Sequence, residues 1–279
     1  MRYKLIALDI DGTLLNRHGE VGARTRRALH QAIAQGYRVI LCTGRRYRTA
    51  RQVMEALGLT TPLVLHNGLL VKDPATERTL YQNYLSPQGY LQVISLLREA
   101  GYLPILYTDR YEEGIDFYLE NDREGNAYYL HYVQQNKAYY QVRDDLHLSY
   151  PGKIIHIGLL DQREVLEPIH KRLQTTLNGT VHVQIIRSLL DGACFLEIMN
   201  PGASKWHALA ALARKCGIFP SEIVAIGDEI NDLEMVQHAG LGIAMGNAIP
   251  AVKAVARYVT ASHDAEGVAE ALERLVLRL

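Results

Sequence analysis

The amino-acid sequence predicts an α/β fold in which a parallel-sheet core is interrupted by an inserted α+β unit. Three observations support this prediction. Apolar strand segments alternate with helical segments in the first 65 residues, and the same alternation returns after residue 204. Between these stretches the composition changes, because thirteen of the seventeen tyrosines lie between Tyr81 and Tyr150. The pattern therefore predicts one discontinuous domain with a second domain inserted into it.

The first stretch contains strand and helix signals in strict alternation. The predicted strands are residues 5–8, 37–42 and 62–65, and the predicted helices between them are residues 22–35 and 46–57. Each strand is a short apolar run of the kind that is buried on both faces. Gly36 and Gly58 follow the two helices as stop signals, and His66-Asn67-Gly68 follows the third strand as a turn signal. This order predicts parallel strands joined by right-handed crossovers.

The inserted stretch mixes helix and strand signals, and the alternating pattern then resumes. We predict helices at 87–100, 122–135 and 162–177, with strands at 103–108, 153–160, 181–187 and 195–199. Further on we predict helices at 204–216, 231–238 and 264–277, with strands at 223–226 and 241–245. The predicted domains are a core of residues 1–84 and 191–279 and an inserted α+β unit of residues 85–190. The tyrosines of the insert are interpreted as a half-buried packing surface in preference to direct substrate contacts, because tyrosine is amphipathic.

The composition argues against several classes of protein. The 279 residues are 48% hydrophobic and 22% charged, as in ordinary soluble globular proteins. Lysine plus arginine equals aspartate plus glutamate, at 30 each, so neither a nucleic-acid groove nor a membrane partner is indicated. The apolar run near the N-terminus is only about five residues long, too short for a signal peptide or a membrane span. The three cysteines form no C-x-x-C pair, which argues against disulfides and favours a cytoplasmic location. The eleven histidines include no H-E-x-x-H motif, which argues against a zinc hydrolase.

The clearest chemical signal is Asp9-Ile10-Asp11-Gly12-Thr13, directly after the first predicted strand. In open α/β sheets, ligands bind at the carboxyl ends of the strands. Two carboxylates at this spacing can converge on one hard cation, and Mg²⁺ needs only one or two of them because it keeps several waters. Gly12 allows backbone amides to approach an anion closely. An acidic turn after a strand is the alternative, and the Gly-Thr pair makes it the weaker one.

Three further motifs lie at comparable places in the predicted fold. Thr43-Gly44-Arg45 follows the second strand, and its hydroxyl and amide suit a phosphate oxygen, although Thr-Gly is also a common turn. Lys205 stands at the start of a predicted helix, where anions are favoured, although a solvated lysine is the alternative. Residues 227–232 (GDEIND) follow another buried strand, and their acids and amide suit a divalent cation with a phosphate.

Together these motifs resemble those of the haloacid-dehalogenase-like phosphatase superfamily, over nearly the whole chain. The signatures are DIDGTLL at 9–15, TGR at 43–45, SK at 204–205 and GDEIND at 227–232, with HNG at 66–68 and AMGNA at 244–248. Their order is similar to that of the Cof-type branch, which implies a Rossmann-like core with a large inserted type-IIB α+β cap domain. Trp206 is a departure, because this branch usually has glycine there, but it does not affect the core chemistry.

The resemblance implies a mechanism in which each acid has a role. Asp9 would be the nucleophile that forms a phospho-aspartate, and Asp11 would be the general acid and base. The Asp9 carboxylate, the Asp11 main-chain carbonyl and the Asp228 carboxylate would hold Mg²⁺. The residues implied for phosphate binding are Ile10, Thr43, Gly44, Lys205 and Asn231. Asp232 and Glu229 would be supporting residues, Asp232 by orienting Lys205, and closure of the cap would exclude water.

The resemblance also implies a small phosphate ester as the partner, such as a sugar phosphate, pyridoxal phosphate or flavin mononucleotide, with no nucleic acid and no membrane. Candidate substrate-rim residues are Arg45, Arg46 and Asn67 on the core, and Arg187 with the tyrosines of 102–140 on the insert, with a surface or packing role as the alternative for each. A phosphomutase with the same intermediate and a catalytically silent phosphate-binding protein are the rival functions. A dinucleotide enzyme is disfavoured, because no G-x-G-x-x-G follows the first strand. The oligomeric state does not follow from the sequence.

Overall fold

The computed structural model describes residues 3–188, 190 and 192–277. The chain divides into two compact units, one formed by Met1–Gln82 with Ser204–Leu279 and the other by Asn83–Ala203. The first unit contains a parallel sheet, and the second contains a mostly antiparallel sheet with its own helices. The predicted fold class, a parallel-sheet core with an inserted α+β unit, is therefore confirmed.

The elements are numbered in chain order. The strands are β1 (Leu5–Leu8), β2 (Arg38–Leu41), β3 (Leu63–Leu65), β4 (Leu70–Lys72), β5 (Thr79–Gln82), β6 (Ile105–Arg110), β7 (Ile115–Leu119), β8 (Tyr140–Val142), β9 (Ile154–Asp161), β10 (His182–Arg187), β11 (Cys194–Met199), β12 (Ile223–Gly227), β13 (Leu241–Ala244) and β14 (Tyr258–Val259). The α-helices are α1 (Ala23–Ala34), α2 (Tyr47–Ala56), α3 (Pro87–Glu99), α4 (Ala127–Gln135), α5 (Arg163–Thr176), α6 (Lys205–Lys215), α7 (Leu233–His238), α8 (Pro250–Val255) and α9 (Gly267–Leu275). The sequence prediction omits β4, β5, β7, β8, β14 and α8, and none of these exceeds six residues.

The core sheet has the strand order β14-β13-β12-β1-β2, and its neighbouring strands are parallel throughout. A bridge between Cys42 and Val64 places β3 beyond β2. Strands β1 and β12 are apolar and completely buried, as expected for the centre of a parallel sheet that is covered on both faces. Their carboxyl ends lie side by side, because Leu8 pairs with both Ile226 and Leu41 in the parallel register. Polar residues that directly follow these strands are thereby brought to one edge.

Among the described residues, the second unit forms a six-stranded sheet with the order β10-β11-β9-β6-β7-β8, in which β7 and β8 pair in parallel. Side chains such as Leu106 and Leu196 form its hydrophobic core together with α3 and α5. Aromatic rings also pack within the unit. The Tyr107 hydroxyl donates to the Tyr132 hydroxyl at 2.9 Å, and the Phe117 ring centroid lies 5.7 Å from each of these two tyrosine rings. These tyrosines therefore have the packing role that their amphipathic character indicates.

The predicted domain boundaries require correction. Residues 83–84 and 192–203 belong to the second unit. Strand β11, which the prediction placed in the core, pairs with β10 and β9 in the sheet of the insert. A short apolar strand carries no local sign of which sheet it joins, so the sequence could not assign it. Residue 191, where the predicted boundary falls, lies outside the described residues.

Side-chain caps mark the start of two helices of the insert. The Asn126 Oδ1 accepts a hydrogen bond from the Tyr129 backbone N–H at 2.8 Å, so α4 starts later than the predicted 122–135. Similarly, the Ser86 Oγ accepts from the Gly89 backbone N–H at 3.1 Å at the start of α3. Throughout the described part of the chain, no helix has the length and apolar character needed to cross a membrane.

Candidate active site

Polar side chains that follow three parallel strands lie at the carboxyl edge of the core sheet. Asp9 follows β1, Thr43 comes shortly after β2, and Asp228 follows β12. Asp9 and Thr43 are buried, with 5% and 1% of their surface exposed. One carboxylate oxygen from each of Asp9, Asp228 and Asp232 lies within 4.8 Å of the other two. The structure thus brings the acids of the first and last motifs into one cluster.

Lys205 is the first residue of α6, and only 1% of its surface is exposed. The Ser204 Oγ caps this helix by accepting from two backbone N–H groups of the first turn, at 3.2 and 3.4 Å. The Lys205 Nζ donates to the Asp9 Oδ1 at 2.6 Å and to the Asp232 Oδ1 at 2.7 Å. Burial opposes the charged form, but the Asp232 and Asp9 carboxylates outweigh it and raise the pKa of Lys205. The alternative of a solvated lysine is therefore wrong.

Asp232 is completely buried, and both of its carboxylate oxygens accept hydrogen bonds. Oδ1 accepts from the Lys205 ammonium, and Oδ2 accepts from the backbone N–H groups of Asp228 at 3.0 Å and Glu229 at 3.2 Å. The neighbouring Asp228 Oδ1 accepts from the Thr13 Oγ1 at 2.7 Å. Asp232 therefore binds both the Lys205 ammonium and the turn that carries Asp228, and its predicted role in orienting Lys205 stays a prediction. The contact of Thr13 with Asp228 is one that the sequence motifs do not indicate.

Burial and mutual repulsion perturb the carboxyl groups of this cluster. Burial raises the pKa of Asp9 well above its usual value, against the attraction of the Lys205 ammonium. Burial, and after it the Asp232 charge, raises the pKa of Asp228 to about 7. When all three carboxyl groups are ionised, they leave an excess of negative charge close to a single ammonium. A divalent cation is the kind of partner that would balance it.

The oxygen atoms of the cluster fit a hard divalent cation. The Asp9 Oδ2 accepts no hydrogen bond among the described residues, and the Asp228 Oδ2 accepts only from the Asn247 Nδ2 at 3.4 Å. Asp232 is a poorer candidate ligand, because both of its oxygens are hydrogen-bonded. A site built from oxygen donors alone suits Mg²⁺. The predicted ligands Asp9 and Asp228 thus retain lone pairs for a cation, and the Asp11 carbonyl stays a prediction.

Several potential phosphate donors lie beside these acids. The backbone N–H groups of Ile10 and Gly44 form no hydrogen bond among the described residues. The Thr43 Oγ1 accepts from the backbone N–H two residues further on, at 3.1 Å, so its proton remains available for donation. The Asn231 Nδ2 donates to the Asn67 Oδ1 at 2.8 Å. Phosphate binding by these groups stays a prediction, and their placement is compatible with it.

Arg45 has a partner, Asp11, that the sequence motifs do not indicate. Its Nε donates to the Asp11 Oδ2 at 2.7 Å, and its Nη2 donates to the Asp11 Oδ1 at 2.5 Å. Such bidentate pairs combine strength with fixed geometry. Burial disfavours the charged guanidinium, but the Asp11 carboxylate outweighs it and raises the pKa of Arg45. Arg45 therefore orients the proposed general acid, whereas the sequence placed it only at the substrate rim.

The His66-Asn67-Gly68 turn holds neighbouring motifs together. All three residues have left-handed backbones, with φ values of 48°, 56° and 89°, and this conformation is uncommon outside glycine. The Asn67 backbone N–H donates to the Thr43 carbonyl at 3.1 Å. A Cβ at Gly68 would lie 2.0 Å from the Ser204 carbonyl oxygen, so a larger residue does not fit. Asn67 is only 3% exposed, and its predicted contact with the substrate stays a prediction.

The remaining predicted residues are Arg46, Glu229 and Arg187. Arg46 directly precedes α2. The burial of His66, and after it the positive charge of Arg46, lowers the pKa of His66 to about 3, so the His66 imidazole is neutral. The Glu229 Oε1 accepts from the Ile230 backbone N–H at 2.8 Å, which is a local turn contact. Arg187 is the exposed last residue of β10 in the second unit. Substrate contacts by Arg46 and Arg187 stay predictions.

Gly12 allows a close approach that a side chain would block, and it provides a matched test. Its φ is +80°, and a Cβ there would lie 2.3 Å from the Asp228 Oδ2. Gly19 has a φ of +75° and nothing within 4 Å of its Cβ position. Both substitutions strain a backbone of similar positive φ, but only Gly12→Ala also places a methyl group against Asp228. Gly12→Ala should therefore lower the free energy of unfolding by about 1–3 kcal/mol more than Gly19→Ala. Urea denaturation measures both variants, and equal losses would contradict the close packing of Gly12 on Asp228.

Comparisons with known proteins agree on one family. A family model described as haloacid dehalogenase-like hydrolase matches residues 6–272. The chain is 34% identical over 280 residues to the protein YxeH of Bacillus subtilis, covering 99% of each chain. It is 30% identical to the phosphatase YwpJ of Bacillus subtilis, over 98% of this chain and 100% of that protein. A crystal structure of a haloacid dehalogenase-like hydrolase from Bacteroides thetaiotaomicron superposes with a TM-score of 0.83 at 29% identity, covering 98% of this chain and 99% of that one.

Proposed function

This chain belongs to the haloacid dehalogenase-like hydrolase family and is a phosphatase of that family, and we propose that it hydrolyses small phosphate monoesters with Mg²⁺ through a phospho-aspartate on Asp9. The observation that carries the proposal is the buried row of Asp9, Lys205 and Asp232 at the carboxyl edge of the parallel sheet. Lys205 holds the Asp9 Oδ1 and leaves Oδ2 without a hydrogen bond among the described residues. Each oxygen of the carboxylate therefore retains at least one lone pair, so that one oxygen can attack phosphorus and the other can hold the cation.

In the first half-reaction, an Asp9 oxygen would form a bond to phosphorus while the bond from phosphorus to the leaving oxygen breaks. Asp11 would give its proton to that leaving oxygen, and the two hydrogen bonds from Arg45 would then hold the resulting carboxylate in place. In the second half-reaction, Asp11 would take a proton from the water that attacks the phosphorus. Inorganic phosphate then leaves, and the Asp9 carboxylate is restored.

The transferring phosphoryl group would be held mainly by positioned donors, as is usual in phosphoryl transfer. The donors in this proposal are the amides of Ile10 and Gly44, the Thr43 hydroxyl, the Asn231 amide and the Lys205 ammonium. Asp9, Asp228 and the main-chain carbonyl of Asp11 would hold Mg²⁺, which supplies further stabilisation of charge on the phosphoryl oxygens. Asp232 would keep Lys205 directed at Asp9.

The proposed substrates are small phosphorylated metabolites, namely sugar phosphates, pyridoxal phosphate or flavin mononucleotide. The core groups described above recognise only the phosphoryl group, so they do not distinguish one leaving group from another. Selectivity would come from the insert, with Arg187 as one candidate contact, and from Arg46 on the core. A screen of phosphorylated metabolites, scored by kcat/KM in the presence of Mg²⁺, would identify the preferred leaving group.

The metal role has a direct test with a defined pH dependence. Chelation of divalent ions should abolish hydrolysis of p-nitrophenyl phosphate, and added MgCl₂ should restore it. Because burial raises the pKa of Asp228 to about 7 in the metal-free protein, a bound proton competes with the cation below that pH. Mg²⁺ affinity measured by calorimetry should therefore be about tenfold weaker at pH 6 than at pH 8. Full turnover in chelator would contradict the metal role, and an affinity independent of pH between about 6 and 8 would contradict the raised pKa of Asp228.

A further inference from the structure

Asn247 connects the first loop of the site to the last one, although 235 residues separate it from Gly12. Its Nδ2 donates to the Gly12 carbonyl oxygen at 2.8 Å and approaches the Asp228 Oδ2 at 3.4 Å. Its Oδ1 accepts from the His263 backbone N–H at 3.0 Å. The side chain thus contacts three separate segments while remaining exposed on its outer side.

The orientation of this amide is determined by its partners. A backbone N–H can only donate, so the atom that faces His263 must be the carbonyl oxygen of the Asn247 side chain. The NH₂ group must then face the Gly12 carbonyl, which can only accept, and the Asp228 carboxylate beside it. The donor is therefore directed at the site by three independent contacts.

The loop that carries Asn247 is docked on the end of β12. The Met245 N–H donates to the Gly227 carbonyl at 3.1 Å, and the Ile249 N–H donates to the Asp228 carbonyl at 3.0 Å. The two side-chain oxygens of Asp228 accept from different residues, Oδ1 from the Thr13 hydroxyl and Oδ2 from the Asn247 amide. Together these contacts fix both the backbone and the carboxylate plane of Asp228.

We propose that Asn247 is a positioning residue for the cation site, which holds the Asp228 carboxylate and the Gly12 backbone in the arrangement that binds Mg²⁺. This inference rests on the proposed function, because it takes Asp228 as a ligand. Residues that orient metal ligands typically change metal affinity by about 10- to 100-fold when they are removed. The contact between Asn247 and Asp228 is long and partly solvated, so the lower end of that range applies.

The test compares Asn247→Ala with Lys253→Ala. The Lys253 Nζ donates to the Gly246 carbonyl at 2.6 Å, so it anchors the same loop without contacting Gly12 or Asp228. Calorimetric titration with MgCl₂ should show a Kd about tenfold weaker for Asn247→Ala than for the wild type. The upward shift of Tm caused by a fixed MgCl₂ concentration should shrink in the same variant. Lys253→Ala should match the wild type in both measurements.

In turnover assays, Asn247→Ala should approach the wild-type kcat only at raised MgCl₂, which a general loss of structure would not produce. An unchanged Kd in Asn247→Ala, or an equal loss of affinity in Lys253→Ala, would overturn the inference. A lower kcat that MgCl₂ does not restore, with Kd unchanged, would overturn it as well. If the wild type itself binds no Mg²⁺, the proposed metal role fails first, and this inference fails with it.

Discussion

The Asp9→Asn variant is expected to lose phosphatase turnover by roughly 10⁴-fold or more, the scale on which removal of a covalent nucleophile acts. Asparagine keeps the shape of the side chain, and its Oδ1 can still accept from the Lys205 Nζ, which lies 2.6 Å from the Asp9 Oδ1. Because burial raises the pKa of Asp9, a neutral side chain there also removes a desolvation cost. The fold should therefore survive, and the loss of turnover would report on the chemistry.

Quenching the reaction in acid during turnover of p-nitrophenyl phosphate separates the two half-reactions of this proposal. Wild-type protein should carry a phosphoryl group on the peptide that contains Asp9, and Asp9→Asn should carry none. Asp11→Asn is the matched control. In this variant the first half-reaction can proceed, because p-nitrophenolate leaves without a proton, but the second is slowed, because the attacking water has lost its general base. The adduct should therefore accumulate in Asp11→Asn. Mass spectrometry of the peptide measures all three proteins, and undiminished turnover by purified Asp9→Asn would contradict the assignment of the nucleophile.

The positions of Asp9, Thr43 and Asp228 could be predicted from the sequence for a physical reason. Each comes directly or shortly after a short apolar run, and such runs are recognisable because strands in a parallel sheet are buried on both faces. Once the strands are parallel, their carboxyl ends must lie at one edge, whatever the distance along the chain. The α/β class and the inserted unit could be predicted as well, because both follow from the periodicity of apolar residues and from the order of strand and helix segments along the chain.

The side-chain partners at that edge could not be predicted in the same way. Nothing in the local pattern indicates that Arg45 pairs with Asp11, or that Lys205 is buried, because both depend on directions of side chains across the sheet. Thr13 reaches Asp228 across a separation of 215 residues. Short strands such as β7 and β8 were missed because three to five residues carry too little periodicity. Asn247 stood in a recognised signature, but only its contacts show what it orients.

Lys205→Met is expected to lower both stability and turnover. The ammonium lies 2.6 Å from Asp9 and 2.7 Å from Asp232, and the three side chains are at most 7% exposed. Methionine has a similar length but leaves two buried carboxyl groups without their counter-charge. Removal of one partner from a buried ion pair costs about 3–5 kcal/mol. Lys215→Met, at the exposed end of the same helix, is the matched control and should change the free energy of unfolding by no more than about 0.5 kcal/mol.

A second substitution separates the charge balance of the fold from the chemistry. Adding Asp232→Asn to Lys205→Met removes one uncompensated charge, so the double variant should regain part of the lost free energy of unfolding. Turnover should stay at least about 100-fold below wild type, because the positive charge beside Asp9 and the phosphoryl oxygens is still missing. Urea denaturation measures the first quantity, and hydrolysis of p-nitrophenyl phosphate at saturating Mg²⁺ measures the second. Recovery of turnover together with stability would mean that Lys205 serves the fold alone, and unchanged stability in Lys205→Met would contradict the buried ion-pair interpretation.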